Sequence, residues 1–202
     1  MILRRMGMRL ECRGMRPTQG IVCSNHLSYL DILVYAAAVP CVFVSKHEVR
    51  SWPAFGALAR NGGTIFVDRQ SRTSSENVSR QIGVALEAGV TVLLFPEGTS
   101  TDGSAVQRFH PTLLEAAVQL QAEMTPAAIG YRVQGGEERA MCWFGDAPFL
   151  RHLLRTLGKA GVVAEVEFYP ERRAYSDRKS AALDLHDKVE AMRKGMARIV
   201  AN

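Results

Sequence analysis

A chain of 202 residues, 47% hydrophobic and 22% charged, is long enough for one domain with a sizeable core, and its composition excludes a disordered or repeat-built protein. Its four cysteines, Cys12, Cys23, Cys41 and Cys142, form no Cys-x-x-Cys pair and have no histidine at finger-like spacing, which excludes a zinc finger. A net charge of +5 is open to three readings, nucleic acid, anionic lipid or a merely solvated basic face, and without basic residues interleaved with aromatics no nucleic acid is expected.

The opening segment crowds Arg4, Arg5, Arg9, Arg13 and Arg16 against the single acid Glu11, and no apolar segment follows them, so no signal peptide is read. A chain that had lost an upstream membrane anchor would begin in the same way. Met8 to Arg13 alternates apolar and polar residues, as an edge strand does. Ile21 to Ser24 is a short buried strand, Ser28 to Ala38 a helix and Cys41 to Ser45 another strand. The uncharged run from Ile32 to Val44 is broken by Pro40 and falls short of the roughly 20 residues that cross a bilayer. Pro53 to Arg60 reads as a helix with proline in its first turn, Asn61-Gly62-Gly63 as a turn, and Thr64 to Val67 as a strand.

Ser74 to Ala88 places Val78, Ile82, Ala85 and Leu86 on one helical face, with Gly89 closing it. Val90 to Phe95 is the strongest buried strand. Pro111 to Ala122 reads as a helix, Thr125 to Val133 as a strand, Gln134 to Glu138 as a hairpin-like turn and Ala140 to Phe144 as a returning strand. Phe149 to Leu157 is a helix carrying a second basic cluster, Arg151, His152 and Arg155, with Lys159 just beyond. Val162 to Phe168 is a strand and Asp177 to Val200 a long terminal helix. Helices alternating with apolar strands specify a single α/β domain over residues 1–202, with a mixed, largely parallel central sheet and helices on both faces. Three of the four cysteines fall in apolar stretches and read as buried free thiols, which fits a reducing compartment.

In such sheets, chemistry gathers where strands end and helices begin. Three segments at such ends carry polar residues that a core does not need. The first is Asn25-His26-Leu27-Ser28-Tyr29-Leu30-Asp31. On one continuous helix His26 and Asp31 would point about 140° apart. They meet only if His26 stays in the loop and the helix starts near Ser28. Asp31 can then fix the imidazole tautomer while the other ring nitrogen takes a proton from a hydroxyl. Ser28-x-x-Asp31 also fits a helix N-terminal capping pattern, and the two readings coexist. The second segment, Gly63 to Arg69, delivers Asp68 and Arg69 to a strand end. Arg69 there either grips a phosphate or pairs with Asp68. The third, Phe95-Pro96-Glu97-Gly98-Thr99-Ser100, ends a buried strand at a proline and permits a tight turn at Gly98.

Taken together, Asn25-His26-x4-Asp31, Gly63-Thr64-Ile65-Phe66-Val67-Asp68-Arg69 and Phe95-Pro96-Glu97-Gly98-Thr99 resemble, in order and spacing, the glycerolipid acyltransferase family of the 1-acylglycerol-3-phosphate acyltransferase type. The likeness covers about Met8 to Tyr131. It implies the family's fold, membrane association on the cytoplasmic side, and transfer of a fatty acyl group from acyl-CoA or acyl carrier protein to a lysophospholipid hydroxyl, with no metal or other cofactor. By the same likeness, His26 is the base and Asp31 its partner. Asn25, Ser28, Lys46, Arg69, Glu97, Gly98, Thr99 and Ser100 bind substrate, and Pro126 lies near the acyl chain. Backbone N–H groups near Gly98 or Ser28 are candidate oxyanion donors. Ser100 stands where many members have arginine, which weakens a phosphate grip, although Arg108 or His110 can substitute. Three alternatives follow: acylation of glycerol-3-phosphate, acylation of a phosphate-free lysolipid such as lyso-ornithine lipid, or a non-catalytic lipid-binding protein.

Overall fold

The structure, a computed structural model, describes residues 2–46, 64–67 and 72–200. The expected helix at Pro53 to Arg60, the Asn61-Gly62-Gly63 turn, Asp68 and Arg69 lie outside the described residues.

In chain order the elements are α1 (Ile2–Arg5), β1 (Met8–Arg13), β2 (Ile21–Ser24), α2 (Leu30–Ala38), β3 (Cys41–Lys46), β4 (Ile65–Val67), α3 (Arg72–Glu87) and β5 (Thr91–Leu94). A 3-10 turn at Pro111–Leu114 leads into α4 (Glu115–Gln119). Then come β6 (Met124–Val133), a 3-10 turn at Glu138–Ala140, α5 (Phe149–Leu157), β7 (Val162–Phe168) and α6 (Arg178–Val200). Among the described residues the strands form one seven-stranded sheet in the order β1-β7-β6-β2-β5-β3-β4. Every neighbouring pair is parallel except β6 and β7. The α/β class and the mixed, mainly parallel sheet are as the sequence predicts.

The central strands are apolar along their length because both faces are covered. Val22, Leu93, Ala127 and Ile129 face one core with Leu30, Val34 and Tyr35 of α2. Ile21, Cys23, Val92, Leu94 and Ala128 face the other with Val78 and Ile82 of α3 and Leu185 and Val189 of α6. Gly89 closes α3 at φ 70°, a left-handed position that glycine adopts at little cost. The carboxylate of Asp177 caps α6 by accepting the Ser180 N–H at 2.7 Å. All four cysteines are free; Cys23 and Cys142 are buried, Cys12 and Cys41 partly so.

One expected strand is absent. Ala140 to Phe144 forms no strand: the chain turns through Glu138–Ala140 and continues irregularly. The neighbouring strand position is already taken, since β7 runs antiparallel along β6 from Ala127↔Phe168 to Val133↔Val162. Consecutive Met141 and Cys142 are both buried, which a pleated strand with alternating side chains does not offer at its edge. The sheet is therefore mixed through β6 and β7, and the returning hairpin does not exist. The helix expected over Pro111 to Ala122 is also split. Proline starts a 3-10 turn, and Gln121, at φ 48°, takes the chain out of α4.

At the outer edge of the sheet, the face of β1 and β7 on the α6 side carries charge. Arg132 reaches Glu11 at 2.6 Å and Glu165 at 3.3 Å, and Arg13 reaches Glu165 at 3.3 Å. Arg9 pairs with Glu11 at 3.1 Å. Two arginines of the N-terminal basic cluster are thus already matched by acids of the chain.

Candidate active site

β2 and β5 run parallel, with Cys23 opposite Leu94, so both chains leave the sheet at the same end. The loops that follow carry the first and third sequence segments into contact.

His26 lies in the loop and Asp31 in the first turn of α2, as the five-residue spacing requires. His26 Nδ1 meets Asp31 Oδ2 at 2.8 Å. The same oxygen accepts the backbone N–H groups of Leu27 at 2.7 Å and Ser28 at 3.0 Å. The Asp31–Ser28 contact is half of a capping box, so capping and histidine contact are made by one carboxylate. The other half is missing. The Asp31 N–H goes to the Ser28 carbonyl, and the buried Ser28 hydroxyl has no hydrogen-bond partner among the described residues.

Asp31 is fully buried and has a fourth donor, absent from the sequence reading: the Tyr131 hydroxyl reaches its Oδ1 at 2.6 Å. Burial, with Asp31 next to it, holds the Tyr131 phenol well above its ordinary pKa, so the hydroxyl keeps its proton and donates. All four contacts use Asp31 as an acceptor, the capacity that a carboxylate offers. They fix the acid from both sides and hold the His26 ring with Nδ1 as donor and Nε2 free to accept a proton. The ring keeps 19% of its surface open and stacks on Phe95 at 4.1 Å between centroids and 19° between planes.

The third segment holds the backbone of His26. Phe95 to Gly98 is a tight turn closed by Gly98 N–H to Phe95 C=O at 3.0 Å, with Pro96 and Glu97 at its corners and Gly98 at φ 70°. Glu97 is buried and points inward. Its Oε1 accepts the His26 N–H at 2.7 Å and its Oε2 the Gln107 N–H at 2.8 Å. The Thr101 N–H then donates to the His26 carbonyl at 2.9 Å. Asn25 acts in the same way. Its side-chain amide pairs with Ile129 N–H and C=O at 2.9 and 3.0 Å, continuing the β2–β6 ladder by one rung after β2 ends.

Thr99 is exposed at the loop tip, and the Ser100 hydroxyl donates to the Trp143 carbonyl. Lys46 ends β3, and Pro126 is buried in β6 opposite Cys23. The N–H groups of Gly98, Leu27 and Ser28 are all engaged within the chain, so they are not free as oxyanion donors. Among the described residues no group of three or more His, Cys, Asp or Glu side chains is arranged to hold a metal ion. A cavity of about 640 Å³ lies beside Arg132, Glu138 and Arg193 and is lined also by Tyr131 and by Met196 of α6.

Burial raises the Glu97 carboxyl to about 7, against the two N–H bonds and the nearby His26, which lower it. A folded pKa above the unfolded 4.5 means stability that is fully present below about 4.5 and lost as pH rises through about 7. Glu97→Gln removes this titration. Denaturant melts from pH 4.5 to 8 are expected to show the wild-type advantage over the variant shrinking with pH, by on the order of 2–3 kcal/mol. A constant difference across that range would remove Glu97 as the titrating group.

The family model described as Acyltransferase matches residues 9–130. The chain belongs to this acyltransferase family. Among its curated relatives is the lyso-ornithine lipid O-acyltransferase of Pseudomonas aeruginosa, 38% identical over 152 residues, covering 74% of this chain and 58% of the relative. The relative of the same name from Rhodobacter capsulatus is 38% identical over 173 residues, covering 82% and 62%. The 1-acyl-sn-glycerol-3-phosphate acyltransferase of Neisseria gonorrhoeae is 30% identical over 152 residues, covering 75% and 60%. The chain thus spans about three fifths of the length of these relatives. The fold is shared with the crystal structure of the 1-acyl-sn-glycerophosphate acyltransferase PlsC from Thermotoga maritima, at a TM-score of 0.69 and 18% identity, covering 94% of this chain and 72% of that one.

Proposed function

We propose that this chain transfers a fatty acyl group from a thioester, acyl-CoA or acyl carrier protein, to the free hydroxyl of a lysolipid at an anionic membrane surface. The contact between His26 Nδ1 and Asp31 Oδ2 carries the reading. The acceptor hydroxyl bonds to His26 Nε2, and its oxygen attacks the thioester carbonyl as the imidazole takes the proton. The tetrahedral intermediate collapses with cleavage of the C–S bond, and the imidazolium returns the proton to the leaving thiolate. Asp31 orients the ring and stabilises its positive charge. Asn25, Glu97 and Thr101 hold the loop, Ser28 is buried within it, and Arg69, Lys46, Thr99 and Ser100 are the proposed neighbours of the substrate. The reaction as written needs no further cofactor. A non-catalytic role in lipid binding is disfavoured by the fully bonded Asp31.

For the acceptor head group, a phosphate-free lysolipid of the lyso-ornithine kind is favoured over 1-acylglycerol-3-phosphate and glycerol-3-phosphate. Ser100 stands where a family arginine would grip phosphate, and its hydroxyl is spent on Trp143. Both relatives at 38% identity bear the lyso-ornithine name. The test is transfer of a radiolabelled acyl group from acyl-CoA or acyl carrier protein to each of the three acceptors. The expected result is transfer to lysolipids, with the highest kcat/KM for lyso-ornithine lipid. Preference for 1-acylglycerol-3-phosphate would reverse the head-group assignment, and no transfer to any acceptor would remove the enzyme reading.

A further inference from the structure

A nine-residue helix on a folded domain normally turns its apolar stripe inward. α5 does so only in part. Phe149 and Leu153 pack against the core, and Thr156 is buried. Leu150, Leu154 and Leu157 remain 65%, 63% and 49% exposed. At about 100° per residue these three leucines fall within about 60° of one another, forming a second apolar stripe that faces away from the protein. Arg151 and Arg155, one turn apart, fall on the adjoining strip, and Phe149–Leu157 contains no acidic residue. A leucine stripe bordered by cations that no acid pairs among the described residues is the pattern of a helix lying in a lipid interface, with its leucines among the acyl chains and its arginines at the head groups.

The position of α5 gives this pattern a purpose. It leads into β7, whose first residue Val162 pairs with Val133 at the end of β6, the same end of the sheet at which β2 releases His26. The Tyr29 hydroxyl meets His152 Nδ1 at 3.0 Å, and the Tyr29 ring packs edge-on against Phe149 and Trp143. Tyr29 lies between His26 and Asp31. The backbone N–H of Trp143 in turn donates to the Leu27 carbonyl at 2.8 Å. The helix and the loop that carries the histidine are therefore one packed unit.

We propose that the outward stripe of α5, Leu150, Leu154 and Leu157 with Arg151 and Arg155, docks on an anionic phospholipid bilayer and holds the His26 loop against it. This rests on the lysolipid reading above, because an acceptor anchored in a bilayer is reached only from its surface. It assigns that surface to one helix, separate from the arginines at the N-terminus, of which Arg9 and Arg13 are already ion-paired.

The test is vesicle sedimentation with phosphatidylcholine alone and with phosphatidylcholine plus phosphatidylglycerol. The proteins are wild type, the triple variant Leu150→Ser, Leu154→Ser, Leu157→Ser, and the double variant Arg151→Gln, Arg155→Gln. Acyl transfer to a lysolipid in detergent micelles and light scattering are measured on the same samples. The triple variant is expected to lose at least about tenfold in binding to both vesicles. The double variant is expected to lose about tenfold or more on anionic vesicles only. Both should keep micellar activity within about twofold of wild type. A triple variant that sediments like wild type overturns the proposal. So does a change in oligomeric mass on losing the leucines, which would make the stripe a contact between copies. Absence of micellar activity in wild type would instead remove the catalytic reading, with the sedimentation contrast unaffected.

Discussion

Replacement of His26 by alanine is expected to lower acyl transfer by about 10²–10⁴-fold, equivalent to roughly 3–5 kcal/mol of transition-state stabilisation. The fold should survive. The ring is partly open, and the contacts that fix the loop are made by the backbone of residue 26, which alanine keeps: N–H to Glu97, C=O from Thr101. What disappears is the group that removes the hydroxyl proton, together with its stacking on Phe95. Thermal melts of the variant should lie near wild type, with the loss confined to kcat/KM. A purified, folded His26→Ala protein with wild-type turnover would end the proposed mechanism.

Replacement of Asp31 by alanine is expected to damage stability as well as activity. Four donors converge on this buried carboxylate: the His26 ring, Leu27 N–H, Ser28 N–H and the Tyr131 hydroxyl. Truncation leaves donors in the interior without partners, at about 1–3 kcal/mol each where water cannot enter. The whole change is expected to cost on the order of 3–5 kcal/mol. Asp31→Asn is milder in volume but puts an amide N–H₂ against either the Tyr131 hydroxyl or the three donors on the other side. Its kcat should fall while its melting point drops less than that of alanine. The two aspartate variants together separate orientation of the imidazole from support of the loop. Equal melting points for wild type and Asp31→Ala would contradict the bonding described here.

The His26–Asp31 contact was readable because it is local. A five-residue spacing and the turn angle of a helix leave one way for the two to meet, and the chain takes it. The strands that are buried on both faces were readable for a similar reason, as Ile21 to Cys23 and Val92 to Leu94 are uninterrupted apolar runs. Tyr131 was not readable. It stands 100 residues from Asp31, and nothing in its own segment distinguishes a tyrosine that fills a core from one that bonds a carboxylate. Its place follows only from β6 lying beside β2 and continuing past its end. Glu97 was found as a residue of interest, but its direction was not, because a carboxylate after a strand and a proline reads equally as facing outward or inward. The false strand at Ala140 to Phe144 arose from an apolar run with a turn before it, where β7, met later in the chain, occupies the strand position first.

The backbone of His26 is gripped at both its polar atoms by a loop 71 residues further along, with Glu97 taking the N–H and Thr101 the carbonyl. The histidine is therefore seated by a distant stretch of chain much as a strand is seated by its neighbour, and the length of the Glu97–Thr101 segment acts as a ruler. Adding or deleting one residue there would leave every side chain of the dyad present yet change the seat on which the imidazole rests. Transplanting the first segment into another scaffold would require bringing the second as its mount.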